Sequence, residues 1–489
     1  MLNYLKSNKF LVILIFLSFI LHILSCFYSI GFYSDDEHFQ ILEISAYLLG
    51  INDIAINDPT GHYWEWQKSV RIRPWIQPYL YFYIISFLKF FISDNPFVWV
   101  LGLRLLSSLI GFASMMFLFV IFKDKFFNNN KIFNYLLFFT FWFFPFLHSR
   151  TSAESLSLSL FVISFCFLYL TIVSKNCKFN LILFTMGSFI MGLSMVFKFT
   201  TVFVAFPFFI WLLIFRFNFL KLFIFSSLII FALSLGLYID YLNWGSFENT
   251  YLKFYIHNLS SGEGYEMNRM KSFGVDPWYY YFFEIIKQLA PILSLFFLAG
   301  LIYFWIKKPK NVLTWITLST FVIFSLIPHK EIRYIFSIYI FAPFFIAYLF
   351  ENFSIKYLSI ISKYFIIISN IIFLSITSLT PANGKVDVYK YIFENIQEDE
   401  EIYYTKENPY LVNNMEAKFY TYFIPKISKL DNISKNFNNI WVASNNYSDI
   451  ELLLKNECEI KHTTYPKKII NLNENWKRLK LNWYILFCK

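Results

Sequence analysis

The sequence predicts a polytopic α-helical membrane protein that carries a small α/β domain at its C-terminal end. Three observations predict this. Of the 489 residues, 57% are hydrophobic and 15% charged, whereas a soluble globular domain runs near 25% charged. The apolar residues recur in runs of about 20, the length an α-helix needs to cross a bilayer. From about residue 385 onward the apolar runs give way to ordinary mixed polarity.

The elements follow in order. Met1 to Phe10 brings Lys6 and Lys9 ahead of the first apolar run, and bulky Phe27-Tyr28 follows where a cleavage site would need small residues, so the start reads as an uncleaved signal anchor. Candidate spans are 10–31, 96–122, 132–148, 152–173, 179–197, 200–216, 219–240, 280–306, 312–328, 333–350 and 357–379, about eleven in all. The apolar segment 75–92 has Pro74 and Pro78 at its start and is expected to lie along the interface rather than to span. With Met1 in the cytoplasm, the cytoplasmic connections become 123–131, 175–178, 216–221, 307–310 and Lys356, each short and basic. That is the positive-inside pattern. It also accounts for the net charge of +10 without a nucleic-acid partner, because the cations sit in small clusters between apolar runs.

The opposite, extracytoplasmic face then receives the first outer loop 32–95, the connections 148–155, 198–201, 241–279 and 328–333, and the whole tail. Residues 1–380 are expected to form the transmembrane domain and 381–489 the soluble α/β domain. In the latter, 401–405, 439–444 and 482–487 alternate like strands, while 415–423 and 449–455 have helical spacing. The five cysteines show no metal-ligand spacing. Cys458 and Cys488 can pair if the tail lies in an oxidising compartment.

Ionisable groups at membrane boundaries are functional hypotheses by default, and four clusters on the outer face stand out. The first is Asp35-Asp36-Glu37-His38 with Gln40 and Glu43 behind it. A carboxylate there can take a proton from a sugar hydroxyl; the plain alternative is a solvated flank ending a helix. The second is Trp64-Glu65-Trp66 with Arg71 and Arg73, able to stack on a sugar and clamp a phosphate, or else to form an aromatic belt with snorkelling arginines. The third is His148-Ser149-Arg150-Thr151-Ser152 with Glu154, where Thr151 and Ser152 also suit helix caps and Arg150 and Glu154 lie at pairing distance along a helix. The fourth is His329-Lys330-Glu331-Ile332-Arg333-Tyr334, whose cations run against the positive-inside trend and so favour phosphate binding. No nucleotide loop, HExxH or GxSxG pattern accompanies them. Acids, cations and aromatics on one face fit glycosyl transfer from a lipid-linked sugar phosphate.

The ordered motifs resemble one family, the integral-membrane glycosyltransferases of the GT-C fold. Within it they are most similar to the family 22 mannosyltransferases that build dolichol-linked oligosaccharides and glycosylphosphatidylinositol anchors. The resemblance rests on Asp36-Glu37-His38-Phe39-Gln40 with Glu43, on Trp64-Glu65-Trp66 with Arg71-Ile72-Arg73, on His148-Ser149-Arg150 with Glu154, on Asp240-Tyr241-Leu242-Asn243-Trp244 with Asn258 and Pro277-Trp278, and on His329-Lys330-Glu331 with Arg333. Asp35 adds an acid to that pattern, Asn is missing after Ser152, and Tyr334 stands where the family has Phe.

The resemblance implies an inverting transferase that uses polyprenyl- or dolichyl-phosphate mannose and a glycan or glycolipid acceptor, with no cofactor and no metal. It implies Asp36 as catalytic base, with Glu37 and Asp35 as acidic neighbours. Donor phosphate would be held by His329, Lys330, Arg333 and Arg73. Substrate would be contacted by His38, Gln40, Trp64, Glu65, Arg71, His148, Arg150 and Glu331. Two other readings stay open: a related enzyme using a lipid-linked glucose or pentose or a protein acceptor, and a non-enzymatic lipid-sugar transporter or scaffold.

Overall fold

The computed structural model describes residues 9–52, 63–67, 70–173, 180–259, 274–352, 356–430, 439–471 and 473–488. Among them, six helical segments are long and apolar enough to cross a membrane, or up to eight if each of two bent helix pairs forms one span. The continuous spans include α1 (Lys9–Tyr28), the interface-length α2 (Ile76–Phe91) being too short to join them, then α3 (Pro96–Phe126), α4 (Ala153–Val173), α5 (Asn180–Phe197) and, after α6 (Val202–Phe215), α7 (Phe219–Trp244). The sixth falls in 360–395, where the apolar helix Lys356–Leu379 leads toward Gly384–Asn395.

Five of the eleven expected windows are therefore short or broken, and proline accounts for most of the breaks, because it lacks the N–H that a helix interior needs. The window 132–148 splits into Lys131–Phe139 and Phe143–His148, the second containing Pro145. At the break, Asn370 of the neighbouring helix accepts from Trp142 N at 3.0 Å and donates to Thr140 O at 2.8 Å. Freed backbone groups inside a bilayer must find such partners. Pro291 similarly starts a new helix (Pro291–Lys307) after the break that ends Tyr280–Gln288, and Ala342–Asn352, with Pro343 in its first turn, is set at 56° to Ile332–Tyr339.

Between the spans, serine hydroxyls make many of the polar contacts, and the buried Arg104 of α3 ties that helix to α1 by donating to Ser25 O at 2.8 Å. Ser107 and Ser155 hydroxyls meet at 3.0 Å, Ser157 donates to Ser194 O at 2.7 Å and Ser164 to Gly187 O at 2.6 Å. Small polar residues let helix backbones approach closely in lipid. Outward faces stay apolar, with Phe90, Phe219 and Leu326 exposed.

The tail forms a five-stranded mixed sheet of order β4-β1-β5-β7-β6, built from β1 (Ile402–Tyr404), β4 (Ile427–Lys429), β5 (Ile440–Ser444), β6 (Cys458–Thr463) and β7 (Tyr484–Cys488), beside a two-stranded hairpin of β2 (Leu411–Val412) and β3 (Met415–Glu416). The expected helix over 415–423 is shorter, Lys418–Thr421, because Met415 and Glu416 pair back onto β2. Cys458 and Cys488 face each other across β6 and β7 and form a disulfide. This domain does not stand apart. Val386, Tyr389, Phe419, Tyr420 and Trp483 share one apolar cluster with Phe39, Leu42, Trp66, Trp75 and Trp99 of the first loop and α3.

Candidate active site

The first span ends at Gly31 (φ 88°), whose neighbour Ile30 accepts from Ala382 N at 2.7 Å. The chain then turns into a helical run in three pieces: Asp35–Glu37, a π-turn His38–Leu42, and Glu43–Leu48. A π-turn inserts one extra residue and shifts the helical phase; such turns concentrate at functional sites. The three consecutive acids, about 100° apart around the helix, consequently go to three different partners.

Glu37 points inward and is 2% exposed. One oxygen accepts from Thr151 N at 2.7 Å and Thr151 Oγ1 at 3.0 Å, and the other from Tyr33 N at 3.0 Å. It ties the acid loop to the turn before α4. Asp35 faces the C-terminal domain and accepts from Asn413 Nδ2. Burial, then the neighbouring Asp36 charge, raises the Asp35 carboxyl above its ordinary range.

Asp36 faces a cluster of charges. Its Oδ2 lies 2.6 Å from Arg333 Nη2, and 31% of its side chain remains exposed. Burial pushes its carboxyl up, but Arg333, Arg73 and Lys198 together outweigh that and hold it well below the usual carboxylate range. Arg333 is oriented by Glu331, with Nε–Oε2 at 2.5 Å and Nη2–Oε1 at 2.9 Å, and donates through Nη1 to Ser34 Oγ at 2.9 Å. Glu331 also accepts from Tyr334 Oη at 3.2 Å and lies 3.5 Å from His329 Nε2. Arg73 pairs with Glu65 at 2.5 Å. The fourth cluster thus meets the first at Asp36, and the Arg73 charge acts at longer range on both Asp36 and Arg333.

Other predicted site residues are built into the frame. His38 is fully buried, bonded to Glu43 Oε1 at 2.7 Å and stacked on Tyr420. Glu43 also accepts from Asn52 Nδ2 at 2.7 Å and Phe419 N at 3.0 Å. His148 is bonded to His22 at 3.0 Å inside the bundle, against Gly111, where any Cβ would lie 2.2 Å from the imidazole. Arg150 does not pair with Glu154. It donates to Ser29 O at 2.9 Å, to Ser29 Oγ, and to Gly31 O at 3.3 Å, because Glu154 has turned to other cations. Arg71 reaches Ser246 Oγ at 2.6 Å and Glu248 at 2.9 Å and lies over Trp244, fastening the first loop to the end of α7. Trp64 packs near His257. Gln40 is half-buried on the π-turn. Of the outer segment after Asp240, Glu263 and Arg269 lie outside the described residues.

Lys330 is the clearest displacement from expectation. Its ammonium donates to three carbonyls, Ile327 O at 2.6 Å, Asp276 O at 2.7 Å and Pro328 O at 3.4 Å, and the residue is 4% exposed. It pins the 276 segment to the bundle. The cation that stands beside Arg333 instead is Lys198, whose Nζ lies 2.6 Å from Glu154 Oε1, itself 3.6 Å from Arg333 Nη1. The signal for it was present: Lys198 is a lone cation on the face where positive charge is scarce, the same argument that singled out Lys330 and Arg333.

Lys198, Glu154 and Arg333 line a small cavity, partly open to solvent, together with the hydroxyl residues Ser157, Thr201 and Ser337. Leu158, Val204 and Phe324 supply apolar wall. Among the described residues, no group of three or more His, Cys, Asp or Glu is placed to hold a metal ion.

A helical bundle with acids and cations gathered at one end, roofed by a small α/β domain, defines a membrane glycosyltransferase of the GT-C architecture. The fold is similar to that of ArnT from Cupriavidus metallidurans bound to undecaprenyl phosphate, with a TM-score of 0.58, 9% identity and 98% of each chain covered. It is also similar to the Archaeoglobus fulgidus oligosaccharyltransferase tethered with an acceptor peptide, with a TM-score of 0.50, 10% identity, and 87% of this chain and 64% of that one covered. The Alg9-like mannosyltransferase family model matches residues 12–422, and the chain belongs to that family. Mannosyltransferase APTG1 of Arabidopsis thaliana is 24% identical over 340 residues, which take in 66% of this chain and 56% of that protein's length. The family match runs past the last apolar helix and through the β2–β3 hairpin and Lys418–Thr421.

Proposed function

We propose that this protein is an inverting mannosyltransferase, moving mannose from a polyprenyl- or dolichyl-phosphate donor to a glycan or glycolipid acceptor on the extracytoplasmic face, with Asp36 as general base. The observation that carries the reading is the 2.6 Å contact between the partly exposed Asp36 carboxylate and Arg333, beside a small cavity lined by a second cation, Lys198, and by Leu158, Val204 and Phe324. A lipid phosphate has the same order of parts: an anion at the head and hydrocarbon behind it.

In this mechanism the donor phosphate competes with Asp36 and Glu154 for Arg333 and Lys198. Asp36, released from Arg333, accepts the proton of the acceptor hydroxyl as that oxygen attacks the sugar's anomeric carbon. The bond from that carbon to the phosphate oxygen breaks, its electron pair leaves on the phosphate, and one displacement inverts the centre. Arg333, Arg73 and Lys198 stabilise the charge growing on the leaving phosphate. These side-chain cations supply the positive charge that a metal would otherwise bring. Glu331 positions Arg333, and Glu37 positions the acid loop. Sidedness is supported by charge: the basic connections 123–131, 216–221 and 307–310 belong to the opposite end of the bundle, where Trp211 Nε1 donates to Lys310 O and Asn128 N to Glu351.

The test is transfer of radiolabel from polyprenyl-phosphate mannose to a panel of glycan acceptors by membranes containing the wild-type chain or Asp36→Asn. Label should move with the wild type alone. Transfer from lipid-linked glucose or pentose but not mannose would reassign the donor, and equal transfer by the variant would remove Asp36.

A further inference from the structure

The C-terminal domain sends one element to the acids. Strands β2 and β3 pair with Leu411 opposite Glu416 and Val412 opposite Met415, leaving Asn413 and Asn414 as a two-residue turn. Both have positive φ, 49° and 64°, the geometry of the tight hairpin turn that asparagine and glycine tolerate. Both side chains are exposed, yet Asn413 donates its amide to Asp35 Oδ2, one residue from the proposed base.

The tip is held firmly. Lys385 Nζ donates to Leu411 O at 2.6 Å, Tyr389 Oη to Pro409 O at 2.5 Å, and Ala417 N to Tyr410 O at 3.1 Å. Two residues on, Phe419 N is bonded to buried Glu43 at 3.0 Å, and Tyr420 stacks on His38 and Phe97 at 5.6 and 5.0 Å. The hairpin is therefore a fixed wall beside Asp36.

Asp36 stands between two unlike surfaces. On one side are Arg333, Arg73 and Lys198, suited to a phosphate. On the other are Asp35, Asn413 and Asn414; the segment 411–416 contains no lysine or arginine, and the nearby Lys385 ammonium is paired with Glu407 at 2.5 Å. In a single displacement the leaving phosphate and the attacking hydroxyl approach the anomeric carbon from opposite sides, so the surface away from the cations is the one that meets the acceptor. Primary amides and carboxylates offer both donors and acceptors to sugar hydroxyls, and the carboxylates repel anions. We infer that the Asn413–Asn414 hairpin tip, with Asp35, forms the acceptor-recognition surface of this enzyme, and that it takes the neutral, hydroxyl-rich end of a glycan. The inference rests on the mannosyl-transfer reading and adds the acceptor side and the role of the C-terminal domain to it.

The test uses the full chain in nanodiscs and the double variant Asn413→Gly/Asn414→Gly. Glycine keeps the positive-φ turn while removing both amides. With polyprenyl-phosphate mannose as donor and mannotriose as acceptor, the KM for mannotriose should rise roughly 5- to 50-fold on losing one or two neutral hydrogen bonds, with kcat and donor KM within about twofold. Saturation-transfer NMR with mannotriose alone should show contact with the wild type and loss in the variant. If transfer proceeds and both mannotriose KM and the NMR signal match the wild type, the hairpin is not the acceptor surface although the transferase reading stands. If the wild type transfers nothing from this donor but the variant still loses the mannotriose signal, the donor reading falls and the acceptor surface stands. A wild type that gives no mannotriose signal overturns the acceptor assignment.

Discussion

Replacing Lys198 by Met tests which lysine serves the donor phosphate. In the structure its ammonium is 2.6 Å from Glu154, with 11% of each side chain exposed. Two unit charges about 4 Å apart at an effective dielectric near 20 attract by about 4 kcal/mol. After the cost of dehydration, a charge-assisted hydrogen bond retains about 1.5–3 kcal/mol. Lys198→Met should therefore weaken undecaprenyl phosphate binding roughly 10- to 150-fold. The single variant also leaves Glu154 with only the longer 3.6 Å contact to Arg333, and breaking a buried pair costs up to about 3–5 kcal/mol, less where water still reaches. The double variant Lys198→Met/Glu154→Gln removes both charges and should recover thermal stability while keeping the weak binding. The assay is titration of detergent-solubilised full chain with undecaprenyl phosphate, with undecaprenol as the uncharged control. Lys330→Met should leave this affinity within about twofold, since its ammonium already serves three carbonyls. Wild-type affinity in the double variant, or an equal loss in Lys330→Met, would refute the assignment.

Three further outcomes are expected. Glu37→Gln should lower thermal stability by about 1–3 kcal/mol, because one oxygen that accepts a buried N–H is lost, yet leave kcat near wild type in the folded fraction; a large kcat loss at normal stability would make Glu37 part of the chemistry. Asp36 sits below its ordinary range because of Arg333, Arg73 and Lys198, so its ion-pair stabilisation is complete above the unfolded value near about 3.9 and fades only as pH falls through the lower folded value. The acid limb of kcat/KM should lie below that range in the wild type and move upward in Arg333→Met, where burial is less opposed; an unmoved limb would show that another group titrates. Reduction of the Cys458–Cys488 bridge, which closes a segment with a sequence separation of 30, should destabilise the C-terminal domain by about 3–4 kcal/mol, read as a lower melting midpoint with dithiothreitol than without.

How much of this was legible in the sequence depended on whether the signal was one of composition or of direction. Apolar runs and the polar tail announced a helical membrane bundle with a small strand-containing C-terminal region, and the scarce charges expected on one face include Asp36 and Arg333, which lie 2.6 Å apart. What the residue order does not carry is where each side chain points. Asp35, Asp36 and Glu37 follow one another at about 100° around a helical turn, so three adjacent acids have three environments. His38, His148 and Arg150 look like site residues by type, but each is buried against a partner that only the tertiary fold supplies. Lys330 and Lys198 are equivalent by the charge rule; packing gives one to backbone carbonyls and the other to the cavity. Proline breaks were readable at Pro145, Pro291 and Pro343, whereas the Asn370 side chain that satisfies one of them lies over 200 residues away in sequence.

The central claim is that Asp36 is the base and that Arg333 holds it until the donor phosphate arrives. The most direct measurement is kcat for mannosyl transfer alongside undecaprenyl phosphate affinity in Asp36→Asn, using full chain in nanodiscs. Removing a general base should lower kcat about 10²- to 10⁴-fold, while the phosphate, no longer competing with a carboxylate for Arg333, should bind as tightly as before or more tightly. Near-wild-type kcat in Asp36→Asn, or a loss of kcat matched by an equal loss of phosphate affinity, would contradict it.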